Sequence, residues 1–326
     1  MLKFRYLFSN PDLALMLLKN WKYDPDTDEL FKYFRISANA IYPVHINGKV
    51  CFLRFSPVLE KSEESVQAEL EFLNYLHSQG YPAMQSVESK SGEKLVRKQT
   101  PWGEYLACVF KRVPGKQISQ TDFIPDSMYA YGVALGELHA LSKKYGQLTQ
   151  KRWSHLDVYD WIEKSLSAPG LDQRPIQELA LLRREFASIP MDQDHYGLIH
   201  FDFEPDNVFY DEGIQGCSVI DFDDAMYHWY VMDIIQVLDA IKDETEKDDI
   251  SSLEAQFLDG YRSVFMLDEE LIARKQLFRR FANLYQFTRV SIAMQERWEN
   301  EPDWMVDLRG KLNRLLVEIE KDFGEF

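Results

Sequence analysis

Hydrophobic and polar positions along this chain change period several times, and each change predicts an element. Pro11 to Trp21, PDLALMLLKNW, places apolar residues at helical spacing behind Ser9 and Asn10, either of which can cap a leader helix. From Leu30 the spacing shortens. LFKYFRIS, AIYPVHI and KVCFLRF read as three antiparallel strands, the last two joined by Asn47-Gly48, a pair that accepts the positive φ angles of a tight hairpin. Helical spacing returns in Ser62 to Ser78, where a serine and an acidic first turn precede a stripe of Val66, Leu70, Leu73 and Leu76. Strand-like runs follow around Leu95 to Lys98 and Tyr105 to Arg112, and VPGK then breaks the pattern.

After Pro125 the chain is mostly helical, beginning with DSMYAYGVALGELHALSKKY and ending with ARKQLFRRFANLYQFTRVSIAMQERW and LRGKLNRLLVEIEKDF. One segment interrupts it. Between Leu198 and Phe222, VFY and CSVIDF read as short strands around a turn at Asp211 to Gly216. The expected fold is therefore α+β in two lobes: residues 1–112 form an antiparallel sheet with a helix and the leader, and residues 113–326 form a mainly helical lobe. No internal repeat or low-complexity tract is visible.

A chain of 326 residues that is 45% hydrophobic can fill cores of that size. Cys51, Cys108 and Cys217 are far apart, form no CxxC pair and lie in apolar strands, which predicts reduced core thiols in a cytoplasmic protein. No uncharged apolar stretch is long enough to cross a bilayer, so neither secretion nor membrane insertion is expected. The net charge of −16 argues against a nucleic-acid partner. Its distribution is uneven: residues 1–112 carry +2 and residues 113–326 carry −18. Either the second part has a surface tuned for solubility, or its field attracts cationic substrates.

The chemistry concentrates in LIHFDFEPDNVFY, which sets three carboxylates, a histidine and an asparagine between strand-like residues. His200, Asp202 and Asn207 fit HxDxxxxN, and Asp221 follows fourteen residues after Asn207, at the end of the next strand. On these residues and their order the sequence resembles the aminoglycoside phosphotransferase and choline kinase group of small-molecule kinases, whose catalytic loop usually reads HGDxHxxN. The resemblance runs from about Phe31 to Val237. It implies a protein-kinase-like fold, ATP and Mg2+ as cofactors, and transfer of the γ-phosphate to a hydroxyl group. Asp202 would be the catalytic base, and Asn207 and Asp221 the metal ligands, because magnesium prefers oxygen. Arg54 in VCFLRF would bridge phosphates, with Lys49 or Arg97 as rivals. Glu69 would hold Arg54 in place, with Glu63, Glu64 and Glu71 as rivals on the same helix. Ser37 and Asn39 in SANAIY would cover the phosphates, since no glycine-rich loop is present. Asp223 and Asp224 would support the metal, Asp233 would brace the catalytic loop, and His200 and His139 would be structural hydrogen-bonders.

Two departures from the family pattern bear on the acceptor. Phe201 replaces the usual loop glycine, and Glu204 occupies a position where relatives carry histidine or leucine. Tyr285, Glu296, Trp298, Glu299, Glu301, Asp303 and Trp304 offer aromatic and acidic groups that suit an amine-bearing acceptor such as an aminoglycoside, an amino sugar, choline or homoserine. WENEPDW also reads as an ordinary turn between helices with interface tryptophans. The expected protein is a monomer or homodimer with a small cationic hydroxyl acceptor and no membrane partner. ATP and GTP are not distinguished. Two other readings stay open: a pseudokinase-like binding or scaffold protein, for which Phe201 would mark lost turnover, and a protein Ser/Thr kinase, although no DFG-to-APE activation segment is recognisable.

Overall fold

The computed structural model describes residues 1–146, 149, 151–167, 172–245 and 250–324. Helix α1 (Pro11–Leu18) starts at Asn10, whose Oδ1 accepts the Leu13 amide at 3.0 Å. It buries Leu13, Ala14, Leu17 and Leu18 against the sheet, followed by Trp21. Strands β1 (Arg35–Ile36), β2 (Ala40–Ile46), β3 (Lys49–Pro57), β4 (Ser86–Val87), β5 (Val96–Thr100) and β6 (Gly103–Lys111) form one six-stranded sheet in the order β1-β2-β3-β6-β4, with β5 also pairing β6. The β2–β3 turn has φ of 53° at Asn47 and 70° at Gly48, the left-handed geometry that its sequence predicts. Helix α2 (Glu63–Ser78) is capped by Ser62 and buries Val66, Leu70, Leu73 and Leu76.

Of the first expected strand, Leu30–Ser37, only Arg35–Ile36 is extended and paired. Thr27–Tyr33 forms a 3-10 helix in which Phe31 is buried against Tyr42 at 5.2 Å, while Lys32 to Arg35 are exposed. A strand over Leu30–Ser37 would need alternate residues on the core, and in that run only Phe31 is buried. Pairing is left to Arg35–Ile36, opposite Ala40–Ile41.

The second lobe starts with β7 (Lys116–Gln117) and α3 (Pro125–Ser142). After α4 (His155–Leu166) and α5 (Arg174–Phe186) come β8 (Tyr196–Ile199), β9 (Val208–Asp211), β10 (Gly216–Val219) and β11 (Met226–Trp229). Helices α6 (Val231–Glu244), α7 (Ile250–Arg262), α8 (Glu269–Ala273), α9 (Lys275–Ala293) and α10 (Asp303–Glu320) complete it. The expected hairpin is present: β9 pairs antiparallel with β10, β7 adds to its edge, and β8 pairs with β11. Helices α3 and α7 cross backbone to backbone. A Cβ added at Gly132 would lie 1.9 Å from the Phe257 carbonyl oxygen, so glycine is required there.

The architecture is α+β in two lobes joined by a continuous core, in which Leu70, Leu73 and Leu76 of α2 meet Leu138, Val219 and Phe222. A second core, around Phe201, Trp229, Phe278 and Phe281, lies beneath the loop that follows β8. Among the described residues no helix is long and apolar enough to cross a membrane.

Candidate active site

Two loops carry the charged residues of the interrupted segment: 200–207 between β8 and β9, and 220–225 between β10 and β11. Asp233, fully buried at the start of α6, accepts the His200 amide at 2.9 Å and the Phe201 amide at 2.7 Å. His139 reaches the same carboxylate at 3.1 Å from α3. His200 Nε2 lies 2.9 Å from the Ile220 carbonyl and must donate to it, so that Nδ1 accepts the Asp202 amide at 3.3 Å. Burial lowers the His200 pKa and keeps this ring neutral. These bonds tie the two loops together through backbone groups.

Asn207 donates its amide to the Asp202 backbone oxygen and to Oδ2, both at 2.9 Å, and its Oδ1 takes no part in those bonds. Burial, with Glu204, Asp224 and Asp221 nearby, raises the Asp202 carboxyl well above the usual carboxylate range. Asp221 sits just beyond β10 in a left-handed conformation, φ 63° and ψ 60°. Burial and then Asp223 raise its pKa, while Arg54 opposes the rise.

Arg54 lies on β3 opposite Cys108 of β6, buried to 7% exposure, with its guanidinium over the Phe110 ring at 4.7 Å. Glu69 of α2 grips it with two bonds of 2.8 and 2.5 Å, and Asp221 Oδ1 lies 3.9 Å away. The rivals are placed elsewhere: Arg97 pairs with Glu104 and Glu63 on the outer face, and Lys49 is exposed at the hairpin. The structure thus brings Arg54, Glu69 and Asp221 together, with the Asp202–Asn207 pair close enough for Asp221 to act on Asp202.

The remaining expected residues divide. Asn39 donates to Asp223 Oδ2 at 3.0 Å, whereas the Ser37 side chain is exposed. Asp223 also pairs with Lys61 and Asp224 with Arg289, so both are already compensated. Burial opposes their ionisation, but Lys61 and Arg54 beside Asp223, and Arg289 beside Asp224, hold both carboxyls below the usual range. Glu296, Trp298 and Glu299 do not line the cavity beside this loop. The amino-terminal segment engages two of them instead: Arg5 pairs with Glu296, and Phe8 stacks on Trp298 at 5.9 Å. Glu301 is held by Arg309.

That cavity, about 590 Å³, lies between the start of α2, the 220–225 loop, α4 and α9. Trp153, Trp161 and Tyr285 form one wall, with ring centroids 6.0 and 5.7 Å apart, and Asp223 and Asp224 form part of another. Of these rings only Tyr285 was expected from sequence. The segment KRWSHLD carries a capping box, Ser154 with Asp157, which marks the start of α4 and hence the position of Trp153 and Trp161. Glu204, Asp206, Asp243 and Glu244 form a second acidic group: partial desolvation, then Asp206 and Asp243, raises the Glu204 pKa, and partial desolvation, then Asp206, Glu204 and Asp243, raises that of Glu244.

The family model for the phosphotransferase enzyme family matches residues 37–268. The chain belongs to that family. It is 24% identical over 210 residues to an amicoumacin kinase of Bacillus subtilis, covering 62% of this chain and 60% of that protein. It is 28% identical over 210 residues to a homoserine kinase of Parvibaculum lavamentivorans, covering 62% and 61%. The family member thus matches about three fifths of the length of these curated relatives. Two solved structures share its fold. An amicoumacin kinase in complex with AMP-PNP, Ca2+ and Ami superposes with a TM-score of 0.77 at 21% identity, over 98% of this chain and 95% of that one. A microcompartment-associated aminopropanol kinase superposes with a TM-score of 0.69 at 18% identity, over 96% and 97%.

Proposed function

We propose that the protein transfers the γ-phosphate of ATP, with magnesium, to a hydroxyl of a small amine-bearing molecule. One observation carries the reading: the allotment of charge in the cleft. Glu69, Asp223 and Asp224 each have their own cation in Arg54, Lys61 and Arg289. Among the described residues Asp202 has none, and Asp221 has only Arg54 at 3.9 Å, already bound bidentately by Glu69. Two neighbouring carboxylates are left without full compensation, which favours a cation there.

The donor set fits magnesium. Among the described residues no three acidic, histidine or cysteine side chains form a metal cage of their own. Magnesium is ordinarily held by one or two protein oxygens, with phosphates and water supplying the others. Asp221 and the Asn207 amide oxygen would provide those oxygens, and the ion would neutralise charge on the phosphates. Arg54, oriented by Glu69, would bridge phosphate oxygens. Asp202, steadied by Asn207, would accept the acceptor's hydroxyl hydrogen bond and then its proton. Its raised pKa moves its basicity toward neutrality, and a cationic acceptor lowers it again.

The acceptor class is supported by the crowded carboxylates at Glu204, Asp206, Asp243 and Glu244, and by the Trp153–Trp161–Tyr285 wall, which suits a cation over aromatic faces. Homoserine and aminopropanol, named in two relatives, each carry an amine and a hydroxyl. The chain passes from Asp221 to β11 within five residues, which leaves no room for a long peptide-docking segment and favours a small acceptor over a protein. We take residues 1–112 as the nucleotide lobe and residues 113–326 as the catalytic lobe. The free, buried Cys51, Cys108 and Cys217 agree with a cytoplasmic setting.

The test is magnesium-dependent ADP release across pooled amino alcohols, aminoglycosides and neutral alcohols, with Asp221→Asn as control. Stimulation by amine-bearing pools that the variant abolishes is expected. Turnover of neutral alcohols alone would remove the acceptor class, and no stimulated release from any pool would remove the enzymatic reading.

A further inference from the structure

Arg152 precedes α4 and takes no part in the transfer chemistry described above. Its side chain is buried, 6% exposed, and no carboxylate among the described residues pairs with it. The guanidinium instead meets backbone oxygens. Nε donates to Ala225 at 2.8 Å, Nη2 to Phe222 at 2.8 Å and to Asp223 at 3.0 Å, and Nη1 to Ser65 at 3.1 Å. The first three acceptors form the turn immediately after Asp221. The fourth lies on α2, one helical turn before Glu69.

A buried cation without a counter-ion costs stability unless its hydrogen bonds are well satisfied, and here a rigid planar fork bridges two separate elements. A second, independent feature needs such a hold. Asp221 is left-handed, a conformation uncommon for a residue with a Cβ, which the surroundings of the loop have to hold.

We propose that Arg152 is a positioning residue: it locks the 220–225 loop to α2, and so sets Asp221 at its working distance from the Arg54–Glu69 pair. The inference rests on the phosphotransfer reading. The lock acts on the metal ligand through three carbonyls of its own loop, whereas the nucleotide's contact with Arg54 depends on β3 and Glu69. Loss of Arg152 therefore uncouples magnesium from nucleotide without removing the nucleotide site.

The test compares Arg152→Lys and Arg152→Gln with the wild-type protein by calorimetric binding of AMP-PNP with and without Mg2+, alongside the Mg2+ concentration for half-maximal turnover. Both variants are expected to bind metal-free AMP-PNP within about twofold of wild type. They should lose about tenfold of the affinity gained on adding Mg2+, with the half-maximal Mg2+ concentration rising by a similar factor and Arg152→Lys less affected. A variant with the wild-type Mg2+ gain overturns the proposal. So do equal losses with and without metal, or failure of both variants to fold, since each would make Arg152 merely structural. If the wild-type protein itself gains no affinity with Mg2+ and turns over no acceptor, the phosphotransfer reading falls and the lock falls with it.

Discussion

Removing Glu69 should damage both stability and nucleotide binding, and a second substitution should restore only the first. Glu69 and Arg54 are 1% and 7% exposed and share two hydrogen bonds of 2.8 and 2.5 Å. Breaking a buried pair from one side leaves an uncompensated charge and typically costs about 3–5 kcal/mol. Two neighbours soften the loss here. Asp221, 3.9 Å away, still attracts Arg54 by roughly 4 kcal/mol at an effective dielectric near 20, and the Phe110 ring lies 4.7 Å from the guanidinium. Glu69→Leu is therefore expected near the low end, about 3 kcal/mol, measured by urea unfolding of the nucleotide-free protein. Arg54→Met with Glu69→Leu replaces the pair by apolar groups of similar volume and should return to within about 1 kcal/mol of wild type. AMP-PNP affinity should fall by roughly 10- to 100-fold in both proteins, the worth of lost charged hydrogen bonds to phosphate. A Glu69→Leu cost below about 1 kcal/mol would show that the pair is not desolvated as described. Wild-type nucleotide affinity in the double variant would remove Arg54 from the phosphate site.

Asp202→Asn should lower turnover by about two to four orders of magnitude in steady-state assays while leaving the melting temperature at or above wild type, because the raised carboxyl pKa already favours the neutral form. Asp221 gives a pH signature. Its folded pKa is raised, so the metal-free native state binds more protons than the unfolded chain, and stability falls as pH rises from about 4 through the raised value. Asp221→Asn should make that slope shallower in melting curves by the share of one group, leaving the share of Asp202, whose carboxyl is also raised. Mg2+ affinity of the wild-type protein should rise with pH in the same window, by up to about tenfold per unit, because the metal displaces the proton. Glu296→Gln and Trp298→Ala should leave acceptor KM unchanged, since these residues contact Arg5 and Phe8 rather than the cavity; a several-fold rise in KM would return them to the acceptor site. Phe201→Gly should destabilise by about 2 kcal/mol or more, read by urea unfolding, because lost ring burial exceeds relief of the left-handed backbone.

The grouping of Asp202, Asn207 and Asp221 was legible in sequence from their fixed offsets: Asp202 to Asn207 within one loop, and Asp221 at the end of the following hairpin. Arg54 was legible because it follows an apolar strand run, whereas Glu69 came only from the family resemblance, and its bidentate contact with Arg54 separates it from Glu63, Glu64 and Glu71 on the same helix. What was not legible depends on contacts between distant segments. Lys61 with Asp223 and Arg289 with Asp224 join residues more than sixty positions apart, and neither has a local pattern. Arg152 bonds to backbone oxygens, which leave no trace in side-chain identity. Leu30–Tyr33 looked like a strand because its aromatic residues fit either period, and packing of Phe31 on Tyr42 decided the matter. The aromatic and acidic composition of residues 296–304 suggested a ligand, whereas Phe8 contacts Trp298 and Trp304, Arg5 pairs with Glu296 and Arg309 with Glu301.

Phe201 shows how a departure from the family pattern fits the same machinery. The chain must turn sharply after β8 so that the His200 and Phe201 amides both reach Asp233, and the turn requires the φ of 65° found at Phe201. Glycine adopts that angle without strain, whereas phenylalanine needs compensation. Its ring provides it: 5% exposed, it packs edge-on against Phe281 at 6.0 Å and Tyr285 at 5.1 Å, and its carbonyl accepts from Gln236 at 3.1 Å. Burying such a ring is worth roughly 1.5–3 kcal/mol, enough to offset the backbone term. The ring therefore joins the core beneath the loop, and Asp202 keeps its bond to Asn207. Its influence on the cavity passes through Tyr285, which Phe201 supports from behind and which faces the aromatic wall with Trp161. A glycine-to-phenylalanine difference at this position thus bears on the shape of the aromatic wall of the cavity, and leaves the Asp202–Asn207 pair intact.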